Sequence, residues 1–325
     1  MNRTLVQLLR MKEPELRERG IAWRITGVAT RRMGWLADAQ GLDISALLAD
    51  GGSFKARAGT PERHNVREWL NAAQADVLFE ATSLNPHNGQ PAIGHIRAAL
   101  EMGAHAITAN KGPIVHAYGE LRSLAAAKGC RFLFESTVMD GAPIFSLFRE
   151  SLPAVHLHGF RGILNSTTNF ILSGMETGLS FEESLKKAQE IGVAETDPSH
   201  DIDGWDAAVK VAALVTVLMG VPVRLDAIYR KGIGGLSGEV VRAARAAGEP
   251  YKLVCRAQRT GQGVTASVRP EQVALSDPLA WVAGTSSVVY FETDIFPGLT
   301  ITENNPGVKA TAYGMLADFI RAVAD

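Results

Sequence analysis

Residues 75 to 136 alternate between short apolar runs and amphipathic segments, and this alternation constrains the fold more than any other feature. "ADVLFEATS" (75–83), "AHAITANKG" (104–112) and "CRFLFES" (130–136) are apolar stretches that end in small or polar residues. That is how strands buried on both faces of a parallel sheet read. Between them, "QPAIGHIRAALEMG" (90–103) and "HAYGELRSLAAAKG" (116–129) have the periodicity of helices. Strands alternating with helices imply a parallel sheet with helices on both faces. Upstream, Asn2 to Arg19 sets Leu5, Leu8, Leu9 and Leu16 among charges and stops at Gly20, as an amphipathic helix would. "IAWRITGVA" (21–29) then reads as another strand. Ligands of such sheets bind beyond the carboxyl ends of the strands. Here those ends are Ala29-Thr30-Arg31-Arg32, Ala81-Thr82-Ser83 and Ala109-Asn110-Lys111.

A dinucleotide-binding sheet normally opens with a strand, a G-x-G-x-x-G turn and a helix. This chain has the helix, with only Met1 before it. "KGIGGLSGEVV" (231–241) has glycines at 232, 234, 235 and 238, which do not fit that spacing, and no apolar strand leads into it. It reads as a turn before a helix.

Several function classes are set aside by composition. A formal net charge of -1 offers no electrostatic footprint for nucleic acid or an anionic membrane. No apolar run reaches the ~18 residues of a membrane span, and the N-terminus lacks a signal-peptide core. Cys130 and Cys255 match no metal-ligand spacing and fit a reducing, cytoplasmic setting. At 325 residues the chain has room for two domains.

The pattern changes after about residue 154. "VHLHGFRGILN" (155–165) is strand-like, and "STTNFILSGMETG" (166–178) begins with Ser166, Thr167 and Thr168, each a candidate helix cap. "SFEESLKKAQEIG" (180–192) places Ser180 and Glu183 as a capping box. Five acidic residues and a histidine follow in "VAETDPSHDIDGWDAAVK" (193–210), before Lys210 opens the uncharged run "VAALVTVLMGVPV". With a helix starting near Asp203, Asp206 and Lys210 share a face. One reading is a solvated acid–lysine pair. The other is a functional lysine: Val209, Val211, Ala207, Ala213 and Leu214 surround it, and apolar surroundings ease an ammonium group toward proton transfer. Glu195, Asp201 and Asp206 then supply carboxylates to hold it or to bind a substrate ammonium group.

"ILNSTTNFIL" (163–172) followed by "AQEIGVAETDPSHDIDGWDAAVK" (188–210) resembles homoserine dehydrogenase, with Gly192, Glu195, Asp197, Pro198, Asp201, Gly204, Asp206 and Lys210 in register. "TANKGPI" (108–114), "ESTVMDGAPIF" (135–145) and "PLAWVAGTSSVVYFETDIFPGLTI" (278–301) resemble further segments of that family, so the likeness covers nearly the whole chain. It is most similar to the short form, without an aspartate kinase domain or a C-terminal regulatory domain.

The resemblance implies an α/β fold with an incomplete Rossmann-like nucleotide-binding domain over 1–134, completed by a C-terminal helix over 306–325. An α+β catalytic and dimerisation domain would occupy 135–305. The implied reaction is the reversible, NAD(P)H-dependent reduction of L-aspartate 4-semialdehyde to L-homoserine, a step of threonine and methionine biosynthesis. Lys210 would be the general acid/base, and Lys111 would lie between nicotinamide and substrate. Glu195 and Asp206 would hold the substrate, with Asp201 in support. Thr82, Ser83, Lys111 and Gly307 would contact the cofactor, although Asn304, Asn305 and Pro306 stand where the family is more glycine-rich. Glu135, Val138, Asp140 and Ala142 would line a monovalent-cation loop, Asp140 replacing a small residue; a strand-to-helix turn without an ion is the alternative. A homodimer is implied as well.

The strand ending "VATRRMG" (28–34) carries no carboxylate for a ribose 2′-hydroxyl. Arg31 and Arg32 suit a 2′-phosphate, so NADP is expected over NAD. The family's first strand and glycine turn are expected ahead of Met1, through a translation start lying upstream. The alternatives are a shortened, non-catalytic homologue that binds a small amino acid or a partner subunit, and a different amino-acid or semialdehyde dehydrogenase.

Overall fold

The computed structural model describes residues 1–30, 34–49 and 65–324. The chain forms two compact units, Met1–Gly141 with Val308–Asp325, and Ala142–Gly307.

In the first unit the expected N-terminal helix is two helices, α1 (Asn2–Met11) and α2 (Glu13–Glu18). Pro14 explains the break: it has no N–H to donate, and its ring would collide with the carbonyl four residues back. The strand expected over 21–29 is also different. Only β1 (Gly27–Thr30) is extended and paired, in an antiparallel hairpin with β2 (Gly34–Ala37). Ile21, Trp23 and Ile25 instead pack, every second residue, against the leucines of α1. The hairpin lies on Trp69, whose indole N–H donates to the Leu36 carbonyl at 2.6 Å. A Cβ at Gly27 would sit 2.9 Å from that ring, so the approach needs glycine.

Short helix α3 (Ile44–Leu48) is capped by Asp43, and α4 (Val66–Ala73) by Asn65. The alternating pattern then appears as β3 (Val77–Glu80), α5 (Ala92–Glu101), β4 (His105–Thr108), α6 (Gly112–Ala127) and β5 (Phe132–Leu133). The three strands form a parallel sheet in the order β3-β4-β5. Helix α6 begins four residues before the sequence reading has it, with Pro113 in the first turn, where a missing N–H costs nothing. The C-terminal helix, Val308–Val323, buries Ala312, Met315, Leu316 and Phe319 against Leu5, Leu8, Leu9 and Leu16.

The second unit is built on a sheet in which β6 (Leu157–Ile163) is an inner strand. Helices α7 (Ser166–Glu176) and α8 (Phe181–Glu190) follow it, the latter closed by the Ser180–Glu183 capping box. Next come α9 (Ser199–Ile202) and α10 (Trp205–Leu218). They are separated by Gly204, whose φ of +79° favours glycine. The remaining α-helix and strands are β7 (Tyr229–Arg230), α11 (Gly238–Ala246), β8 (Tyr251–Thr260), β9 (Gly263–Gln272), β10 (Ser287–Thr293) and β11 (Leu299–Glu303). Their order is β11-β10-β6-β8-β9-β7, with β7–β9 parallel and the other pairings antiparallel. The glycine cluster at 231–241 is a turn and the start of α11, capped by Ser237. A Cβ at Gly232 would meet the Ile202 carbonyl at 2.2 Å, so this turn runs directly against α9.

Candidate active site

Strand β6 ends at Ile163, and the next two residues begin the site. The Leu164 carbonyl accepts from Lys210 Nζ at 2.6 Å. Asn165 caps α7, its Oδ1 accepting from the Thr168 N–H at 2.9 Å. Lys210 lies in the second turn of α10, with its Nζ 3.1 Å from Asp206 Oδ2, one turn earlier on the same helix. Both side chains are about four-fifths buried, at 18% and 21% exposure. That burial rules out the solvated pair the spacing also allowed. The apolar neighbours expected for Lys210 are present, since Ala207, Val209, Val211, Ala213 and Leu214 are all buried. Its head is nonetheless held by a carboxylate and a carbonyl.

The acidic residues are organised by hydrogen bonds from α7 and the residue that caps it. Asn165 Nδ2 donates to Asp201 Oδ1 at 2.6 Å and to Asp206 Oδ2 at 3.1 Å. Thr167 Oγ1 lies 2.9 Å from Asp201 Oδ2 and 3.1 Å from the Val193 carbonyl. Burial raises the Asp201 carboxyl above its ordinary value, and the charge of Asp206 adds to this; Asn165, Thr167 and Lys210 oppose it. Glu195 differs from the aspartates. It lies exposed on the segment after α8, where its carbonyl accepts from Gln189 Nε2 at 3.1 Å. Beneath the site, Cys255 is fully buried on β8, and burial pushes its thiol up to about 12.

The sequence reading assigned roles to Lys210, Glu195, Asp201 and Asp206, and the structure brings Lys210, Asp206 and Asp201 into one network. Asn165 joins them and is also the cap of α7, a role the sequence suggests for Ser166, Thr167 or Thr168. The available signal was an Asn directly between a strand run and a helix run. Thr167 was considered only as a cap, and its hydroxyl instead meets Asp201.

In the first unit, Thr82 and Ser83 follow β3 with exposed side chains, and Lys111 is the cap residue of α6. Asn110, at the end of the next strand segment, ties these turns together. Its Nδ2 donates to the Thr82 and Ser83 carbonyls at 3.0 and 3.4 Å, while its Oδ1 accepts from the Gly112 N–H at 2.9 Å. Glu80, buried at the end of β3, accepts from the Thr82 backbone N–H and hydroxyl and from Thr108 Oγ1. The result is a hydrogen-bonded polar shelf beyond the carboxyl ends of β3 and β4. Arg31 and Arg32 lie outside the described residues. Gly307 is exposed, immediately before the C-terminal helix.

Among the cation-loop residues, Glu135 and Val138 are buried. The Glu135 N–H donates to Asp318 Oδ2 at 2.7 Å. Met139 and Asp140 both take positive φ, and the Asp140 carboxylate accepts from Thr311 Oγ1 at 2.5 Å. Ala142 is the first residue of the second unit. Among the described residues, no three His, Cys, Asp or Glu side chains are grouped as metal ligands, and no helix is long and apolar enough to cross a membrane.

A parallel α/β unit with polar strand ends, in one chain with a lysine–carboxylate site, has the parts that a dinucleotide-dependent oxidoreductase needs. The family model described as "Homoserine dehydrogenase, NAD binding domain" matches residues 2–135, and that described as "Homoserine dehydrogenase" matches 143–320. An NAD(+)-dependent homoserine dehydrogenase of Pseudomonas canavaninivorans is 34% identical over 98% of this chain and 92% of its own. An Archaeoglobus fulgidus crystal structure assigned as a homoserine dehydrogenase superposes with a TM-score of 0.88 at 30% identity, covering 99% and 96% of the two chains. A hyperthermophilic archaeal homoserine dehydrogenase in complex with NADPH gives a TM-score of 0.82 at 25% identity, covering 99% and 94%. The chain belongs to the homoserine dehydrogenase family.

Proposed function

We propose that the protein interconverts L-aspartate 4-semialdehyde and L-homoserine with NAD(P)H, and that Lys210 is its general acid/base. The observation that carries this reading is the position of Lys210: four-fifths buried, on a carboxylate and a main-chain carbonyl, within a family whose reaction needs one proton. Bound NAD(P)H supplies the hydride. As hydride reaches the aldehyde carbon, charge develops on the oxygen, and Lys210 donates a proton there. In the oxidation direction, neutral Lys210 takes the proton from the homoserine hydroxyl. Asp206 and the Leu164 carbonyl aim the amine.

Glu195, exposed on its loop, is assigned to the substrate's α-ammonium group. Asp206 shares that charge while holding Lys210, and Asp201 supports it. The shelf of Thr82, Ser83 and Lys111 fits the polar half of a dinucleotide, its turns held open by Asn110. Lys111 adds positive charge there, and Gly307 allows close approach. NADP is preferred over NAD in this reading, because "VATRRMG" carries Arg31 and Arg32 and no carboxylate. Among the relatives, the Pseudomonas protein is named as NAD(+)-dependent, and the archaeal structure is a complex with NADPH.

A monovalent cation at 135–142 belongs to the same reading, through main-chain oxygens of Glu135, Val138 and Ala142 with the Asp140 carboxylate nearby. So do a homodimer, which light scattering would detect, and a cytoplasmic setting. The test of function is NAD(P)+ reduction by the purified protein with L-homoserine, with L-serine and L-threonine as controls. Turnover confined to homoserine is expected; equal turnover with the controls would reassign the substrate.

A further inference from the structure

Asn165 has a donor end and an acceptor end, and the fold uses both. Its Oδ1 is committed, accepting from the Thr168 N–H and from Thr168 Oγ1, each at 2.9 Å. A backbone N–H in the first turn of a helix can only donate, so the orientation of the amide is fixed by α7 itself. Both hydrogens of Nδ2 therefore point away from the helix, one to Asp201 and one to Asp206. The Asn165 side chain is buried, so its two N–H groups have these carboxylates as partners and not bulk water. Two carboxylates sharing one donor group repel each other, and the N–H bonds offset that repulsion.

As a helix cap alone, Asn is replaceable. Ser and Asp cap about as well, through an oxygen that accepts from the same N–H. Neither offers two N–H donors. What the sequence requires of an Asn here is the donor end, which α7 has no use for.

We propose that Asn165 is a positioning residue for the reaction: it holds Asp201 and Asp206 as a pair, which keeps Asp206 on Lys210. The groups facing this pair are Lys210 from α10, Thr167 from α7 and the buried, protonated Cys255 from β8. Without the amide, the repulsion between the aspartates is no longer offset from this side, Asp206 shifts, and the aim of the Lys210 ammonium shifts with it. The proposal rests on the function assigned to Lys210 above.

Asn165→Ser separates the cap from the pairing. At pH 7 it should lower kcat for homoserine oxidation about tenfold or more, with the affinity for NAD(P)H unchanged. It should also lower Tm by about 2–4 °C, the shift expected for roughly 1 kcal/mol in a unit of the size of Ala142–Gly307. In an Asp201→Asn background, where the pair carries one charge fewer, the thermal cost of Asn165→Ser should fall to half or less. A cap-only role predicts full kcat and the same thermal cost in both backgrounds, and either result overturns the proposal. Should the parent protein fail to oxidise homoserine, the functional reading falls, and the thermal comparison alone decides whether Asn165 couples the two carboxylates.

Discussion

Lys210 and Asp206 were legible as a pair because four residues on a helix is a short-range relation, fixed once the helix is recognised. The partners that complete the site come from elsewhere. Leu164 meets Lys210, and Asn165 meets Asp206, across more than forty residues of sequence, and Cys255 lies within the field of Lys210 from a strand after α11. No local pattern encodes such contacts; they exist because β6 and β8 pair with Gly162 opposite Cys255. Two predictions belong to this scale. Asp201 has a folded pKa raised above its unfolded value, so its ionisation opposes folding, and stability is lost as pH rises from about 4 through the folded pKa. Asp201→Asn should therefore gain in Tm relative to the parent between pH 4 and pH 7. A pH-independent difference would show that Asp201 titrates normally. The second concerns Cys255, whose buried thiol is protonated at any physiological pH. A thiol reagent should modify Cys130 in the native protein and reach Cys255 only after unfolding. Rapid labelling of both would contradict this burial.

At the scale of elements, continuous apolar runs and caps could be read directly. The strands over 75–136 lie within the stretches expected of them, and the Ser180–Glu183 box is formed. The misreadings have local physical causes. Pro14 divides the first helix, and Ile21, Trp23 and Ile25 spend their alternation on the leucine cluster instead of on strand pairing. Asn305 sits at φ +45° where a glycine would be expected, a conformation Asn tolerates better than most residues. It also accepts from the Thr285 and Ser286 hydroxyls at 3.3 and 3.5 Å. The family resemblance implies that the C-terminal helix returns to the first domain; its packing on α1 in particular was not legible, because the two amphipathic faces lie at opposite ends of the sequence. Leu316, 1% exposed at that contact, gives the test. Leu316→Ala should destabilise the first unit by about 2–5 kcal/mol, read as a lower urea midpoint. A loss below about 1 kcal/mol would mean the contact is loosely packed.

For the whole molecule, family and chemistry came from a long spaced pattern around Lys210 that few folds would share, whereas cofactor choice rests on two side chains. If Arg31 and Arg32 bind the 2′-phosphate, kcat/KM should favour NADP+ over NAD+. Replacing both with Ala should erode that ratio about tenfold or more through the KM for NADP+, since each charge-assisted bond contributes on the order of 1.5–3 kcal/mol. Equal use of the two cofactors by the parent protein, or an unchanged ratio in the variant, would place the specificity elsewhere.

The central claim is that Lys210, held by Asp206 and the Leu164 carbonyl, moves the proton in homoserine oxidation. It is tested most directly by following NAD(P)H formation at saturating L-homoserine for the parent protein and for Lys210→Ala, with circular dichroism confirming that both are folded. The account predicts clear turnover by the parent and a kcat lower by about 100-fold or more in the variant, with cofactor affinity retained. A folded Lys210→Ala protein that turns over homoserine at the parent rate would contradict it.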